Sequence, residues 1–165
     1  MERFSVTRIN TDLKKINTDT FNCEELCYNG KMDNLLHREL TYKLRGIFFK
    51  IRNTYGPGQK EKVYCNLLEE TLEESQVYFE REKSIKIQSL NKKIVGVYKP
   101  DFIVDDKIIL EIKSSRIIPK IDEKQLYYYL RNSKYEIGFL VNFSTPELFI
   151  KRIIYTNDRK PFLSA

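Results

Sequence analysis

KPDFIVDDKIILEIK, residues 99–113, is the stretch of sequence that decides the fold. Two runs of strand-forming residues flank the turn signal DDK at 105–107. The pattern predicts an antiparallel hairpin whose loop is those three residues. In that register Asp101 lies directly opposite Glu111, and opposed residues of such a pair sit about 5 Å apart.

The same hairpin predicts a chemical site. Glu111 and Lys113 are two residues apart, so they share one face of the sheet with Asp101. Two carboxylates that close repel each other unless a cation separates them, and a hard divalent ion such as Mg²⁺ or Mn²⁺ suits their oxygen atoms. Lys113 then orients or deprotonates a water molecule, or offsets charge on a phosphate. From spacing alone, a solvated hairpin with a surface Glu-x-Lys is the alternative.

Two amphipathic helices are predicted before this hairpin. Apolar residues at helical spacing run from about residue 35 and stop at GPG, 56–58, because proline and glycine end a helix. A second helix covers roughly 59–76 and has an acidic face and an apolar face. Glu61 projects from the apolar side near the start of this helix, where a charged residue is an exception.

The rest of the chain predicts more strands and a third helix. Strands at 83–90 and 94–98 join the hairpin in an antiparallel meander, and a helix follows at about 120–132. On that helix Gln125 is a polar exception on an apolar face. An almost wholly apolar strand at 137–143 and an edge strand at 149–155 complete an α/β domain with a mixed sheet, in the order roughly ααβββαββ.

Composition bounds the class of protein. The chain has 165 residues, of which 41% are hydrophobic and 32% charged, with a net charge of +6. These values fit one globular domain, predicted at 35–165, preceded by a loosely ordered polar arm at 1–34. The basic surplus suits a polyanionic partner. No apolar run predicts a signal peptide or membrane span, and the three cysteines predict reduced thiols in the cytoplasm. A zinc site at Cys23, Cys27 and His37 would lack a fourth ligand.

Five blocks together resemble a known family: GPGQKEKVY (56–64), KPDFIV (99–104), ILEIKSS (109–115), QLYYYL (125–130) and IGFLVNF (137–143). In this order they are similar to the GxxExxxR proteins, a branch of the PD-(D/E)XK nuclease superfamily. The resemblance covers about residues 35–155 and implies a restriction-endonuclease-like core, with a mixed sheet flanked by helices.

The resemblance also implies roles for individual residues. Asp101 and Glu111 would bind the metal together with the backbone carbonyl of Ile112, and Lys113 would position the water. The helix glutamate of the family falls on Glu61, which would support the metal shell or a second ion. Its glutamine falls on Gln125, which would hydrogen-bond into the site.

Two positions depart from the family pattern. The arginine of the family label falls on Cys65, and the histidine that commonly precedes GPG falls on Arg52. The expected function is a metal-dependent nuclease that hydrolyses phosphodiester bonds, with DNA favoured over RNA. The alternatives are a binding module on the same fold, which holds nucleic acid or protein without cutting it, and a structural or assembly role. No membrane partner is expected, and a homodimer is left open.

Overall fold

The computed structural model describes residues 36–89 and 91–160, so the predicted arm at 1–34 lies outside the described residues. The fold is mixed α/β, as predicted, with five strands between the second and third helices, which are the four segments predicted there and one more. In chain order the elements are α1 (Arg38–Tyr55), α2 (Glu61–Glu74), β1 (Phe79–Arg81), β2 (Ile85–Gln88), β3 (Ile94–Tyr98), β4 (Phe102–Val104), β5 (Ile108–Lys113), α3 (Lys120–Arg131), β6 (Ile137–Asn142), β7 (Phe149–Ile154) and a short 3-10 helix (Asn157–Arg159).

The main sheet has five strands in the order β1-β4-β5-β6-β7. β5 and β6 run parallel, and the other neighbours are antiparallel. Val104 pairs with Ile108 and Phe102 with Leu110, which confirms the predicted register and three-residue loop. β7 is an edge strand, also as predicted.

The predicted meander is wrong at one connection. β2 and β3 pair only with each other in a separate two-stranded sheet, and β4 takes its outer partner from β1. β1 was not predicted because it is three residues long and two of them, Glu80 and Arg81, are charged. Such a short run has no period that sequence reasoning can recognise.

The loop between β4 and β5 depends on a backbone conformation that few residues adopt. Asp105 and Asp106 have φ values of 53° and 50°, in the left-handed region that aspartate tolerates better than most residues. Asp106 also accepts a hydrogen bond from the Tyr135 hydroxyl at 3.0 Å and pairs with Lys134. The loop is therefore fastened to the segment between α3 and β6.

Helices cover both faces of the sheet. On one face Phe48 of α1 packs edge-on against Phe139 of β6, with ring centroids 6.2 Å apart. On the other face Leu126 and Leu130 of α3 form a buried cluster with Ile109 of β5. β6 is buried along its whole length, which confirms the prediction for an almost wholly apolar strand.

The contact between α3 and β6 is close enough to require glycine. A Cβ atom at Gly138 would lie 2.7 Å from Cδ1 of Leu126, well inside the distance of ordinary van der Waals contact. The buried side of α3 is centred on Leu126 and Leu130, whereas Ile121 is 64% exposed. Ile121 is exposed because it lies about 140° around the helix from Leu126.

Within residues 36–89 and 91–160, no helix is both long enough and apolar enough to cross a membrane.

Candidate active site

The candidate site begins where β4 starts and β5 ends. Extending the β4–β5 register by one residue places Asp101 opposite Glu111. The backbone N–H of Ile112 donates a hydrogen bond of 2.7 Å to Oδ2 of Asp101. This bond holds the Asp101 carboxylate against β5 at the point where the strand pairing ends.

Glu111 is the most heavily engaged side chain of the cluster. Its Oε2 atom accepts a hydrogen bond from Nζ of Lys113 at 3.3 Å, and its Oε1 atom accepts one from the Tyr98 hydroxyl. Only 14% of the Glu111 side chain is exposed. Burial, and then the charge of Asp101, raise the pKa of Glu111 to about 7, although Tyr98 and Lys113 oppose the shift. A second positive charge near this carboxylate would therefore be stabilising.

Asp101 and Lys113 have the electrostatics expected of close neighbours. Burial raises the pKa of Asp101 against the opposing effects of the Ile112 N–H and of Lys113. Burial disfavours the charge on Lys113, but Glu111, Glu61 and Asp101 outweigh it, so the pKa of Lys113 is raised. Lys113 is thus an ammonium group at neutral pH, suited to donating hydrogen bonds rather than accepting a proton.

Glu61 joins this cluster from α2. It is the first residue of that helix and is exposed to solvent as a whole. Partial burial raises the pKa of its carboxyl group, Lys113 lowers it, and Asp101 raises it. The structure therefore brings Glu61 within electrostatic reach of the cluster. Glu61 shares its side of α2 with the buried Tyr64 and Leu68, as the helical spacing predicts, although it is itself exposed at the end of the helix.

Gln125 approaches the cluster only indirectly. It is exposed, so the prediction that it lies on a buried face is wrong. Its side-chain amide donates to the hydroxyl of Tyr129, and the Tyr129 ring stacks on Tyr98. Since Tyr98 donates to Glu111, two tyrosines separate Gln125 from the carboxylate.

Tyr98 is the residue of this site that sequence reasoning missed. It ends β3, is only 7% exposed, and its hydroxyl is directed at Glu111. Burial, and next the charge of Glu111, raise the pKa of Tyr98, so the hydroxyl stays protonated and donates. The signal in the sequence was slight: an aromatic residue at the end of an alternating strand, directly before KPD.

Comparison with known families agrees with this arrangement. The PD-(D/E)XK nuclease superfamily matches residues 38–153, a span that contains every residue of the cluster. The chain belongs to the PD-(D/E)XK nuclease superfamily. The domain is therefore of a nuclease type, its superfamily acts on nucleic acid, and such nucleases generally use divalent metal ions.

No curated protein sequence matches this PD-(D/E)XK domain. Among solved structures, that of SSO0001 is similar, with 25% sequence identity and a TM-score of 0.44. The match covers 77% of this chain and 66% of SSO0001, so the chain spans just under two thirds of that protein.

The metal that the superfamily implies can be tested against the donors present. Asp101 and Glu111 offer hard oxygen atoms. Burial, and then the charge of Asp101, raise the pKa of Glu111, which fits a site that a divalent cation would stabilise. In the part of the chain that the structure describes, no three His, Cys, Asp or Glu side chains gather into a metal-holding group. The PD-(D/E)XK carboxylate pair would need backbone or water oxygen atoms to complete the coordination, as Mg²⁺ commonly does.

The loop between α1 and α2 forms one wall of the site. Gly56 and Gly58 have φ values of 68° and 93°, a region that favours glycine. The Tyr64 hydroxyl donates to the carbonyl of Gly56 at 2.7 Å and accepts from the N–H of Gln59 at 3.2 Å. The Gly58 N–H donates to Oγ of Ser144 at 3.3 Å. The GPG loop is thus fixed from both sides.

A groove opens beside this loop, next to Lys113. Its volume is about 550 Å³, and Lys60, Glu61 and Arg116 bring charged groups to its lining. Oγ atoms of Ser114 and Ser144, 2.9 Å apart, lie at its wall. The groove therefore offers two cations and two hydroxyl groups directly beside the cluster of this PD-(D/E)XK domain.

Arg52, one of the two departures from the family pattern, has a structural role. Its guanidinium group donates to the carbonyl oxygen atoms of Phe143, Thr145 and Pro146, the last two at 2.9 and 2.7 Å. It therefore ties α1 to the connection between β6 and β7.

Cys65, the second departure, is a buried free thiol near the cluster. Burial, and then the charge of Asp101, raise the pKa of Cys65 to about 12. Arg81 of β1 pairs with Glu69 of α2. Its positive charge partly opposes the rise in the pKa of Cys65 and of Asp101. The Arg81 guanidinium group is thus a cation close to Cys65. It comes from strand β1, whereas the arginine of the family pattern would lie on helix α2 at the position of Cys65.

Proposed function

We propose that the protein is a metal-dependent nuclease that hydrolyses phosphodiester bonds, with DNA as the preferred substrate. The observation that carries the proposal is the cluster at the ends of β4 and β5. There a half-buried carboxylate pair, Asp101 and Glu111, adjoins the ammonium group of Lys113. Membership of the PD-(D/E)XK superfamily supports the same reaction class. The preference for DNA rests on the resemblance to restriction-endonuclease-like proteins.

Asp101, Glu111 and the backbone carbonyl of Ile112 would hold the metal, which we take to be Mg²⁺ or Mn²⁺. A bound ion of this kind supplies a Lewis acid that lowers the pKa of a water molecule and stabilises charge on the phosphate. In the hydrolysis, the water oxygen bonds to phosphorus while the bond from phosphorus to the leaving oxygen breaks. The water proton ends on the leaving oxygen, so the products are a phosphate monoester and a hydroxyl group.

Lys113 acts on the substrate or the water as a hydrogen-bond donor. Its raised pKa keeps it charged, and it adjoins Glu111 at 3.3 Å. An ammonium group at this position stabilises negative charge that develops on the phosphate oxygen atoms. Glu61 lies within electrostatic reach of Lys113 and would support the metal shell or a second ion. Gln125 would orient Tyr129, and through it Tyr98, behind Glu111.

The groove beside the GPG loop suits the backbone of a nucleic acid strand. Lys60 and Arg116 supply positive charge there, and Ser114 and Ser144 supply hydroxyl groups. Phosphate contacts of this kind position a strand without reading its sequence. The strand would then pass from the groove across Lys113 towards the carboxylate pair.

Three finer predictions also belong to this proposal. The GPG loop followed by Glu61 supports the GxxExxxR branch, and Arg81 would supply the cation that the branch otherwise places at Cys65. The free thiol of Cys65 supports a cytoplasmic location. A homodimer stays a prediction.

A binding module on the same fold is the second candidate. One observation favours it: both oxygen atoms of Glu111 already accept hydrogen bonds, from Tyr98 and from Lys113. A carboxylate engaged in this way is stabilised without a metal ion. Such a domain would hold a nucleic acid strand and leave it intact.

A cleavage assay separates the two candidates. Labelled single-stranded and double-stranded DNA and RNA are incubated with the protein in Mg²⁺, in Mn²⁺ and in EDTA, with Glu111→Gln as the matched control. We expect cleavage of DNA by the wild-type protein in either metal, and none in EDTA or by the variant. Binding without cleavage under all conditions would favour the binding module, and cleavage of RNA alone would correct the substrate.

A further inference from the structure

A second cavity lies away from the carboxylate cluster. It has a volume of about 390 Å³ and opens between β2 and the segment that follows α3. Ligand pockets commonly span about 300–1,000 Å³, so its size is sufficient for a small ligand or part of a larger one. Ile85 and Tyr135 give it an apolar wall.

The lining of this cavity is strongly basic. Its charged residues are all cationic, namely Lys83, Lys86, Arg131, Lys134 and Lys160. Lys83 and Lys134 are offset by Glu80 and Asp106, which lie outside the lining. Lys86 and Arg131 are exposed, and within residues 36–89 and 91–160 neither forms an ion pair. The cavity therefore keeps uncompensated positive charge.

Lys160 gives the cavity a rigid inner wall. Only 2% of this residue is exposed, and its Nζ atom donates to the carbonyls of Ser133 at 2.9 Å and Tyr135 at 2.7 Å. A third bond of 2.6 Å reaches Oδ1 of Asn157. The positive charge is thus held in place by the protein before any ligand arrives, which reduces the entropic cost of binding an anion.

We propose that this cavity is a phosphate-binding site that takes a nucleotide unit, either within a nucleic acid strand or as a free nucleotide. Lys86 and Arg131 would donate to the phosphate oxygen atoms, and Ile85 would contact the sugar or base. Charge-assisted hydrogen bonds to phosphate are among the stronger protein–ligand contacts. The site goes beyond the proposed nuclease activity and does not require it.

The cavity is connected to the cluster through one strand pair. Ile85 lies opposite Tyr98 in the β2–β3 hairpin, and the Tyr98 hydroxyl donates to Glu111. The cavity and the carboxylate cluster therefore share the β2–β3 hairpin. No residue that lines the cavity also lines the groove beside the GPG loop. A phosphate bound at the cavity would lie against the same hairpin that supplies the donor to Glu111.

The test measures binding in EDTA, where cleavage does not interfere. One arm uses fluorescence anisotropy with a labelled single strand and a labelled duplex. The other uses calorimetry with inorganic phosphate and a nucleoside 5′-monophosphate. The double variant Lys86→Gln/Arg131→Gln removes the two unpaired charges. Its matched control, Lys43→Gln/Lys50→Gln, removes two exposed charges from α1 on the other face of the sheet.

We expect the cavity variant to bind at least about tenfold more weakly, because it loses two charge-assisted hydrogen bonds to phosphate, while the α1 control binds like the wild-type protein. The salt dependence of strand binding should also weaken, by about 0.9 in the slope for each lost contact to duplex and about 0.7 for a single strand. Loss in the strand arm alone identifies a nucleic acid site. Loss in the calorimetric arm as well identifies a site for free nucleotides.

Two measurements guard against a folding artefact. The charge-retaining variant Lys86→Arg/Arg131→Lys should keep most of the binding. In the wild-type protein, phosphate should shift the amide resonances of Ile85, Lys86 and Arg131 but not those of α1. Equal binding by the cavity variant and the wild-type protein would overturn the site, as would equal losses in the cavity variant and the α1 control. A wild-type protein that binds phosphate in the cavity but cleaves nothing would leave the site standing and overturn the nuclease.

Discussion

The β4–β5 hairpin and the β2–β3 hairpin have opposite environments. β4 is buried throughout, and most residues of β5 are buried as well. β2 and β3 alternate or face solvent, with Val95 66% exposed and Val97 62% exposed. Yet both hairpins meet at the candidate site, because the hydroxyl group of Tyr98 in β3 donates a hydrogen bond to Glu111 of β5.

This difference shows how a site can combine rigid and accessible elements. The buried β4–β5 hairpin fixes the carboxylates, because its strands are held by neighbours on both edges and by helices on both faces. The exposed β2–β3 hairpin packs on one face only and leaves its lysines free for solvent or a ligand.

The largest expected effect is on catalysis. Lys113→Ala removes the ammonium group beside Glu111 and should lower cleavage about 100- to 1,000-fold, as loss of one preorganised electrostatic group commonly does. The matched change Lys93→Ala, in the exposed turn of the other hairpin, should alter the rate less than about threefold, since surface charges act weakly. The check is a single-turnover assay in Mg²⁺. Wild-type rates in Lys113→Ala would contradict the role of Lys113.

The second prediction compares the stability of the two hairpins. Ile109 of β5 is fully buried in the cluster with α3, so Ile109→Ala should lower the free energy of unfolding by about 2–5 kcal/mol. Val95→Ala, in exposed β3, should change it by less than about 0.5 kcal/mol. Urea denaturation followed by circular dichroism measures both. Similar losses in the two variants would mean that β3 is covered in solution.

The third prediction concerns pH and the cavity behind the exposed hairpin. Burial lowers the pKa of Lys160 to about 8, below its ordinary value of 10.5. Between these values the unfolded chain holds the proton and the folded chain has lost it. Stability should therefore rise with pH by up to about 1.4 kcal/mol per pH unit, relative to Lys160→Met. Denaturation at pH 7.5, 8.5 and 9.5 tests this, and parallel curves for the two proteins would contradict it.

The smallest expected effect lies where the hairpins meet. Tyr98→Phe removes the donor to Glu111 and should cost about 1 kcal/mol of stability. Because the Tyr98 bond lowers the pKa of Glu111, the variant should also lose more cleavage at pH 6 than at pH 8. The control is Tyr128→Phe, at an exposed position of α3. An unchanged pH profile would show that Tyr98 only fills space.

The sequence predicted the buried hairpin well because its determinants are local. A three-residue turn and two apolar runs set the register that places Asp101 opposite Glu111. The stop of α1 before Gly56 followed in the same way, since the positive φ of that glycine ends the helix. Short-range patterns of this kind need no knowledge of the rest of the fold.

The errors fall where tertiary contacts decide. β1 became a strand because β4 offered an open edge, which no pattern in Phe79–Arg81 records. Gln125 was placed on a buried face, but α3 turns Leu126 and Leu130 to the sheet and leaves Gln125 exposed. Tyr98 was missed because its partner lies on another sheet, and the distance between the two depends on how that hairpin packs.

Arg52 has a consequence for how this chain can change over evolution. Three carbonyl oxygen atoms between residues 143 and 146 depend on its guanidinium group. A histidine ring, with a shorter reach and at most two N–H donors, could not serve all three. Arg52→His would therefore leave carbonyl groups without donors unless the connection between β6 and β7 changed as well. Substitutions at Arg52 and changes in the connection between β6 and β7 are therefore expected to occur together.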